Sequence, residues 1–172
     1  MLKIILILLI FCTCSILGYM YGERFRKRHI DLRESYKALT LLQNEVVFNN
    51  TPLPEALNDV GAKIVEPFNK LLIDVSINLT KGIDSNVYLA FKEKYQEYEE
   101  DFYLYKEDKS VLGDFLKSLG ETGVYGQEKI FKLALENLKL NIDEALDISK
   151  KNTKLYRYLG ICLGAMISIF LL

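Results

Sequence analysis

Residues 4–22 read IILILLIFCTCSILGYMYG, a run of 19 residues that contains no charged side chain. At about 1.5 Å of rise per residue, this run makes a helix of about 29 Å, which matches a bilayer core of about 30 Å. The charged segment ERFRKRH follows at residues 23–29, and no small-x-small cleavage site precedes it. We therefore expect a retained N-terminal transmembrane helix over residues 1–23 rather than a cleaved signal peptide.

A second apolar stretch reads LYRYLGICLGAMISIFLL at residues 155–172, where Arg157 is the single charged residue. The long side chain of Arg157 can reach the membrane surface, and Tyr156 and Tyr158 beside it are typical of a membrane interface. We expect a C-terminal transmembrane helix over this range. The central residues 24–154 would then form one domain between two membrane helices.

Basic residues lie on the domain side of both apolar stretches, and we call them the basic collars: Arg24, Arg26, Lys27, Arg28, and Lys150, Lys151, Lys154, Arg157. Because basic flanks of membrane helices stay inside, we expect a cytoplasmic domain with both termini outside. Between residues 38 and 149 the sequence has 11 basic and 20 acidic side chains. An acidic body on basic collars predicts contact with an anionic membrane leaflet and with a basic partner surface.

Each apolar stretch also carries two glycines four residues apart, Gly18 with Gly22 and Gly160 with Gly164. In lipid, such small pairs let two helix backbones approach closely and make dispersion contacts. They predict either a hairpin of the two helices or a contact with another membrane subunit. The alternative is that glycine is simply common in membrane helices.

The central domain has the pattern of an all-α bundle of about six helices, with only three prolines and no strand-like alternation between Asn-Gly or Asp-Gly turns. Apolar residues recur every three or four positions after the first apolar stretch, so its helix should continue to residue 49: Leu32, Tyr36, Leu39, Leu42 and Val46. Thr51 before Pro52 predicts the N-cap of a short helix. Pro67 should start the next helix, which reaches about Lys81.

A long aromatic helix is expected to follow, capped by Asp84 or Ser85. Its aromatic residues recur at helical spacing: Tyr88, Phe91, Tyr95, Tyr98, Phe102 and Tyr105. This regular stripe is more typical of core packing than of a partner-docking surface, which stays the alternative. Glu97 and Glu100 should lie on the opposite, solvated face. A shorter helix at 109–119, a break at residues 120–126 and a last helix into the second apolar stretch complete the prediction.

Charge and composition disfavour several classes of function. The chain has 22 Lys+Arg and 23 Asp+Glu, so no basic excess would attract a nucleic acid. The three cysteines lie in the apolar stretches, without the polar partners that a metal cluster or a disulfide framework requires. Composition therefore predicts no nucleic-acid partner, no metal and no redox site.

Catalytic patterns are not found either. The single histidine, His29, has no nearby cysteine or serine to activate. Gly120, Gly123 and Gly126 have a superficial phosphate-loop spacing, but no Gly-Lys-Ser/Thr follows them. We expect no cofactor and no enzymatic activity.

Three segments together resemble a known family: EV-x5-PLPEAL beginning at Glu45, LGDFLKSLGETGVYGQEK at residues 112–129, and KLYRYLGICLGAMI at residues 154–167. Their order resembles the stage III sporulation protein AB family, small relatives of the F-type platform proteins of type II secretion and type IV pilus machines. The positions that carry the resemblance are Glu45, Pro52, Leu53, Pro54, Glu55, Ala56, Leu57, Leu119, Gly120 and Gln127.

The resemblance implies a non-enzymatic part of the channel-like apparatus that joins mother cell and forespore during engulfment. In the mother-cell membrane around the forespore, it would be a platform that docks a cytosolic AAA+-like secretion ATPase of the stage III sporulation protein AA type. Other membrane subunits of the same apparatus would be further partners. Candidate docking residues are the acidic Glu97, Glu100, Asp114 and Glu121. A membrane-anchored helical scaffold or signalling protein is the alternative, although Pro52, Pro54 and Pro67 interrupt the long heptads it needs.

Overall fold

The computed structural model describes residues 2–84, 86–121 and 124–171, with side chains at all of these except 2–4, 121, 124 and 125. In this part of the chain there are six α-helices and no strand, which confirms the predicted all-α class. The helices are α1 (Leu2–Gln43), α2 (Leu53–Gly61), α3 (Phe68–Thr80), α4 (Val87–Glu97), α5 (Lys106–Glu121) and α6 (Val124–Leu171). A π-helical turn at Asn44–Phe48 extends α1, and a 3-10 turn at Glu99–Asp101 follows α4.

The chain divides into two compact units. The terminal unit comprises Met1–His29 and Asp143–Leu172, and the central unit comprises Ile30–Ile142. The helices α1 and α6 contribute residues to both units, whereas α2 to α5 lie in the central one. The domain boundaries expected at 23/24 and 154/155 refer to the membrane surface and stay predictions.

Both α1 and α6 are long and apolar enough to cross a membrane. Only 6% and 11% of their apolar windows are buried, whereas a core helix would be mostly buried. Three hydroxyls in the apolar stretches are satisfied within their own helix: Thr13 donates to the Ile10 carbonyl, Ser15 to Phe11 and Ser168 to Gly164. Internal satisfaction of polar groups is what an apolar surrounding requires.

The central unit has its own apolar core. On α1, three residues of the apolar face predicted from the helical period are buried: Leu32, Leu39 and Leu42. Val46 continues this buried face in the π-helical turn. Other fully buried side chains come from three further helices: Leu57, Val60, Leu71, Val75, Phe131 and Leu138. Along the chain, α2 packs on α3, α3 on α4, and α4 on α5.

Two helix caps differ from the predicted residues. Pro52, not Thr51, is the N-cap of α2, because the Thr51 hydroxyl and amide are both bonded to Glu45. Asn86 caps α4, with its side-chain oxygen accepting from the Tyr88 amide at 2.7 Å. Of the two residues expected there, Asp84 instead accepts from the Asn78 side chain at 3.0 Å, and Ser85 lies outside the described residues.

The predicted long aromatic helix is wrong beyond Glu97, where α4 ends. Glu99, Glu100 and Asp101 follow, and three carboxylates would be repelled by the partial negative charge at a helix C-terminus. Residues 102–105 are not helical, and the Tyr103 amide donates to the Asp31 carboxylate at 2.7 Å. The chain therefore leaves the helix before the aromatic stripe is complete.

The prediction that the aromatic stripe packs in the core is confirmed for three of its residues. Phe91, Tyr95 and Phe102 are buried, with ring centroids 5.7 Å apart for Phe91 and Tyr95 and 4.8 Å apart for Tyr95 and Phe102. Phe68 of α3 meets Phe102 edge-on at 4.7 Å. Tyr88 and Tyr98 are half-buried, whereas Tyr105 is 42% exposed. Phe102 thus keeps its predicted core position although it lies outside the helix.

The break predicted at residues 120–126 falls where α5 ends at Glu121 and α6 begins at Val124. Thr122 and Gly123 lie outside the described residues. α5 itself begins at Lys106, three residues before the predicted start, because the buried Asp108, in the third position of the helix, accepts from the Tyr105 amide at 2.9 Å as in a capping box.

Candidate interaction surfaces

Glu45 organises the connection between α1 and α2. Its carboxylate accepts from the side chains of Asn49 at 2.9 Å, Lys63 at 3.0 Å and Thr51 at 3.3 Å. The Asn49 amide and the Lys63 ammonium hold the pKa of this carboxyl below its ordinary value. Asn50, between two of these donors, has a φ of 55°, a left-handed conformation that asparagine tolerates well. Glu45 is therefore a structural clamp of the turn.

The PLPEAL segment begins α2 and divides between core and surface. Ala56 and Leu57 are buried at 0% and 1% exposure, while Leu53 and Pro54 are half-buried. Pro52 and Glu55 are exposed. The Pro54 carbonyl accepts from the Ser76 hydroxyl of α3 at 2.6 Å, which ties the start of α2 to the middle of α3.

A surface groove of about 540 Å³ lies between α2 and α3. Its lining combines residues at the start of α2 with residues of α3 and its C-cap: Pro52, Pro54, Glu55, Asn58, Ser76, Ile77, Thr80 and Lys81. The sequence singled out the PLPEAL residues as motif positions, but it predicted neither a groove nor the contribution of α3. Ile77 is 40% exposed there, which the sequence alone does not indicate.

The second motif segment is used for packing. Leu119 is 4% exposed, in the core of the central unit. Gly120 lies against the α4 cap, since a β-carbon there would stand 3.3 Å from the side-chain amide of Asn86. Gln127 is half-buried on α6. The segment therefore joins the end of α5 to the start of α4.

The candidate acidic residues lie on separate elements. Glu97 is the last residue of α4, where it accepts from Lys94 at 2.7 Å, and Glu100 lies in the 3-10 turn rather than on the helix. Asp114 is exposed on α5 and accepts from Ser110 at 3.3 Å. The side chain of Glu121 lies outside the described ones.

Five exposed acidic residues lie at and after the end of α4, and we call them the acidic segment: Glu93, Glu97, Glu99, Glu100 and Asp101. Two of its carboxylates are paired, Glu97 with Lys94 and Glu99 with Lys109 at 2.6 Å. The segment therefore presents five acidic side chains within nine residues at the end of α4. It includes two of the candidate docking residues, Glu97 and Glu100.

In the terminal unit, α1 and α6 contact each other through their glycines. A β-carbon on Gly18 would stand 2.7 Å from the Gly160 α-carbon, and one on Gly22 would stand 2.8 Å from the Thr153 carbonyl oxygen. Gly164 lies against Phe11, at 3.1 Å by the same measure. Because the contacts run in opposite directions along the two helices, α1 and α6 form an antiparallel pair.

One end of this pair carries charged and aromatic contacts. Arg157 donates to the Glu23 carboxylate at 3.3 Å, and Arg26 also contacts Glu23. The Tyr156 ring lies 5.5 Å from Tyr21 and 5.4 Å from Phe25 by centroids. Thr153 further donates to the Gly22 carbonyl at 3.1 Å.

Two buried carboxylates of the central unit were missed from the sequence. Asp31 is 7% exposed and Asp108 is fully buried. Asp31 accepts from the Tyr103 amide, and Asp108 accepts from the Asn141 side chain of α6 at 3.0 Å. Together they fix the non-helical residues 102–105 between α1, α5 and α6. The acidic Asp108 three residues after Tyr105 was the available sign of a capping-box role.

Within the described residues, no group of three or more histidine, cysteine, aspartate or glutamate side chains could hold a metal ion. The strongly perturbed tyrosine pKa values have structural causes. Burial raises the pKa of Tyr95, and a hydrogen bond to Asp74 at 2.6 Å raises the pKa of Tyr98 to about 12.

Comparison with known proteins covers the whole sequence. Residues 3–172 match the protein family described as stage III sporulation protein AB. Stage III sporulation protein AB of Bacillus subtilis (strain 168) is 27% identical to the chain over 172 residues, which is 100% of both proteins. A solved structure of stage III sporulation protein AB is 28% identical with a TM-score of 0.65, covering 72% of this chain and 96% of that one.

Proposed function

The chain belongs to the stage III sporulation protein AB family, and from this premise we propose that it is a non-enzymatic membrane platform subunit of the mother cell-forespore apparatus. In this role it docks a cytosolic secretion-type ATPase. The observation that carries the proposal is the combination of two outward-facing apolar helices with an exposed acidic segment on a separate helical unit.

Membrane insertion is supported by the character of the terminal unit. Large apolar side chains remain exposed on both helices: Ile5, Leu8, Leu9, Leu17, Met20, Met166, Ile169 and Phe170. In water, a patch of this size would favour association, whereas in lipid it faces a matching solvent. The glycine contacts give the two helices a close interface that needs no apolar burial. The outward faces remain available to other membrane subunits.

The proposed topology places the central unit in the cytoplasm and both termini outside. An antiparallel pair brings the two chain ends to one side, and both basic collars lie toward the other. Basic flanks are retained on the cytoplasmic side and are attracted to anionic lipids there. By the family's role, this membrane would be the mother-cell membrane around the forespore.

The proposed ATPase contact is the acidic segment. Its five exposed carboxylates would complement a basic surface and steer association with it. Lys94 and Lys109 neutralise two of them, which leaves a net negative surface of modest extent. The Asp114 side of α5 is the second candidate.

The experiment is co-purification of the full chain in detergent with the cytosolic ATPase encoded beside it. Replacing Glu97→Lys with Glu100→Lys should weaken capture, while the fold is kept because a basic residue near the α4 C-terminus interacts favourably with the helix dipole. The matched control, Glu128→Lys with Glu136→Lys, makes the same charge change at exposed positions of α6. The platform proposal also requires that the purified chain hydrolyses no nucleotide.

Loss of capture confined to the acidic-segment variant supports the docking surface. If Asp114→Lys abolishes capture of the ATPase and the acidic-segment variant does not, the docking surface lies on α5 instead. Self-assembled rods without any ATPase would support the scaffold and contradict the platform.

A further inference from the structure

At the charged end of the helix pair in the terminal unit, arginine and tyrosine side chains lie together, and their contacts within the protein leave hydrogen-bond donors over. Six residues, which we call the interfacial belt, meet there: Tyr19, Tyr21, Glu23, Arg24, Tyr156 and Arg157. The Arg157 guanidinium lies 4.5 Å from the Tyr19 ring centroid, and the Arg24 guanidinium lies 5.6 Å from that of Tyr21. Two arginines from different helices are thus held on aromatic faces.

Arg157 retains hydrogen-bond capacity in this position. A guanidinium has five N–H donors, of which the structure gives one contact to Glu23 at 3.3 Å. Its Nε is buried without a hydrogen-bond partner, yet 41% of the side chain is exposed. The buried Nε is out of reach of a ligand, but the remaining N–H donors of the guanidinium are suited to the oxygens of a phosphate group.

The local charge also favours an anion. Glu23 is the one carboxylate of the belt, its side chain is 14% exposed, and it already contacts both Arg26 and Arg157. Arg24 stacks on Tyr21 and is exposed. One carboxylate against two arginines leaves the belt with a net positive charge, and Arg26 beside it adds another.

We propose that the interfacial belt binds the phosphate headgroup of an anionic phospholipid, with Arg157 and Arg24 as the phosphate-contacting residues. The inference rests on the proposed membrane location and adds a defined site to the general attraction of basic collars. The arginines adjoin the apolar stretches, so a phosphate bound there would leave its acyl chains beside exposed apolar side chains. Tyr19 and Tyr21, 52% and 54% exposed, offer amphipathic rings at the same level.

The test uses the full chain reconstituted in nanodiscs of equal phosphatidylglycerol and phosphatidylcholine, then released into detergent for native mass spectrometry. The wild type should retain phosphatidylglycerol in preference to phosphatidylcholine. Arg157→Gln and Arg24→Gln should each reduce this preference roughly tenfold, the effect of losing one charge-assisted hydrogen bond. Arg24→Gln keeps the test valid if Arg157→Gln disturbs the helix pair, because Arg24 lies outside the Glu23 contact.

The matched control is Lys151→Gln, which removes one exposed basic residue of the same collar outside the belt. It should leave the lipid preference unchanged. Equal losses for Lys151→Gln and the belt variants would overturn the site and indicate diffuse attraction. Displacement of the lipid by millimolar inorganic phosphate would also overturn it, since the belt would then bind free phosphate rather than a lipid.

Alkaline carbonate extraction separates this inference from the proposed function. If the chain leaves the membrane in carbonate, both fail. If the chain stays in the membrane but shows no lipid preference, only the interfacial site fails.

Discussion

Gly18 and Gly160 lie in direct backbone contact, so that a β-carbon added to Gly18 would stand 2.7 Å from the Gly160 α-carbon. The reverse substitution meets the same limit, with 2.8 Å between a Gly160 β-carbon and the Gly18 α-carbon. Real β-carbons do not approach backbone atoms this closely. The antiparallel contact of α1 with α6 in the terminal unit therefore depends on glycine at both positions.

Gly160→Val should separate the two helices. Spin labels on the exposed Cys12 and Cys162, with Cys14→Ser, report the separation as a dipolar distance distribution in nanodiscs. The parent protein should give one narrow distance, and Gly160→Val should give a longer and broader one. Ile161→Val, which changes the neighbouring outward-facing residue, is the control, and an unchanged distribution in Gly160→Val would contradict the contact.

Tyr95→Ala and Phe102→Ala should each lower the unfolding free energy by roughly 3–5 kcal/mol, because both rings are buried in the aromatic cluster. Tyr105→Ala is the matched control, since Tyr105 is 42% exposed and its loss should cost within about 0.5 kcal/mol. Urea unfolding of the full chain in detergent measures all three. Unchanged stability of Tyr95→Ala together with lost partner binding would make the cluster a docking surface instead.

The Glu45 clamp should make stability pH-dependent. Since the folded-state pKa of Glu45 is lowered, its carboxylate stabilises the fold above the unfolded-state pKa of about 4.3, and this contribution is lost as the pH falls through the folded value. Glu45→Gln should therefore be less stable than the parent at neutral pH, and the difference should shrink in acid. Urea midpoints at both pH values measure it. A difference that grows on acidification would be inconsistent with the clamp.

Much of the fold could be predicted because it depends on local patterns. The three- and four-residue spacing of Leu32, Leu39 and Leu42 predicts the buried face of α1 without knowledge of its partners. The end of α4 could not be predicted in this way, because the aromatic spacing continues past Glu97. There the decisive contact joins Tyr103 to Asp31, which is 72 residues away in sequence.

The helix caps and the candidate surfaces were also predictable only in part, because the residue types are visible in the sequence but their partners are not. Asp84, Ser85 and Asn86 are all residue types that cap helices, so composition alone does not select Asn86. Glu45 is visible as a motif residue, but its clamp depends on Lys63, which the intervening α2 brings back to it. The glycine spacing leaves a helix contact and the mere frequency of glycine in membrane helices as alternatives, and the pairing of Gly18 with Gly160 comes only from the folded chain.

The proposed topology predicts the behaviour of a reporter that fluoresces only in the cytoplasm. Fused after Leu172, it should be dark, because the basic collars hold the central unit inside and leave the C-terminus outside. Inserted between Gly82 and Ile83, which are exposed in the α3–α4 connection, the same reporter should be bright. Fluorescence of the C-terminal fusion would reverse the topology or remove the second span.

The platform role makes a prediction about salt. If the acidic segment docks a basic face of the ATPase, opposite charges attract over a Debye length of about 8 Å at physiological ionic strength. Affinity should then fall steadily as salt is added. Glu97→Lys with Glu100→Lys should lower the affinity and flatten this salt dependence, whereas Glu128→Lys with Glu136→Lys should leave both unchanged.

The most direct measurement is the affinity of the isolated ATPase for the full chain in nanodiscs, titrated from low to high salt. The account predicts saturable binding that weakens with salt and depends on Glu97 and Glu100. Absence of binding at every salt concentration, with both apolar helices retained, would contradict the platform and leave a scaffold whose partners are other membrane subunits.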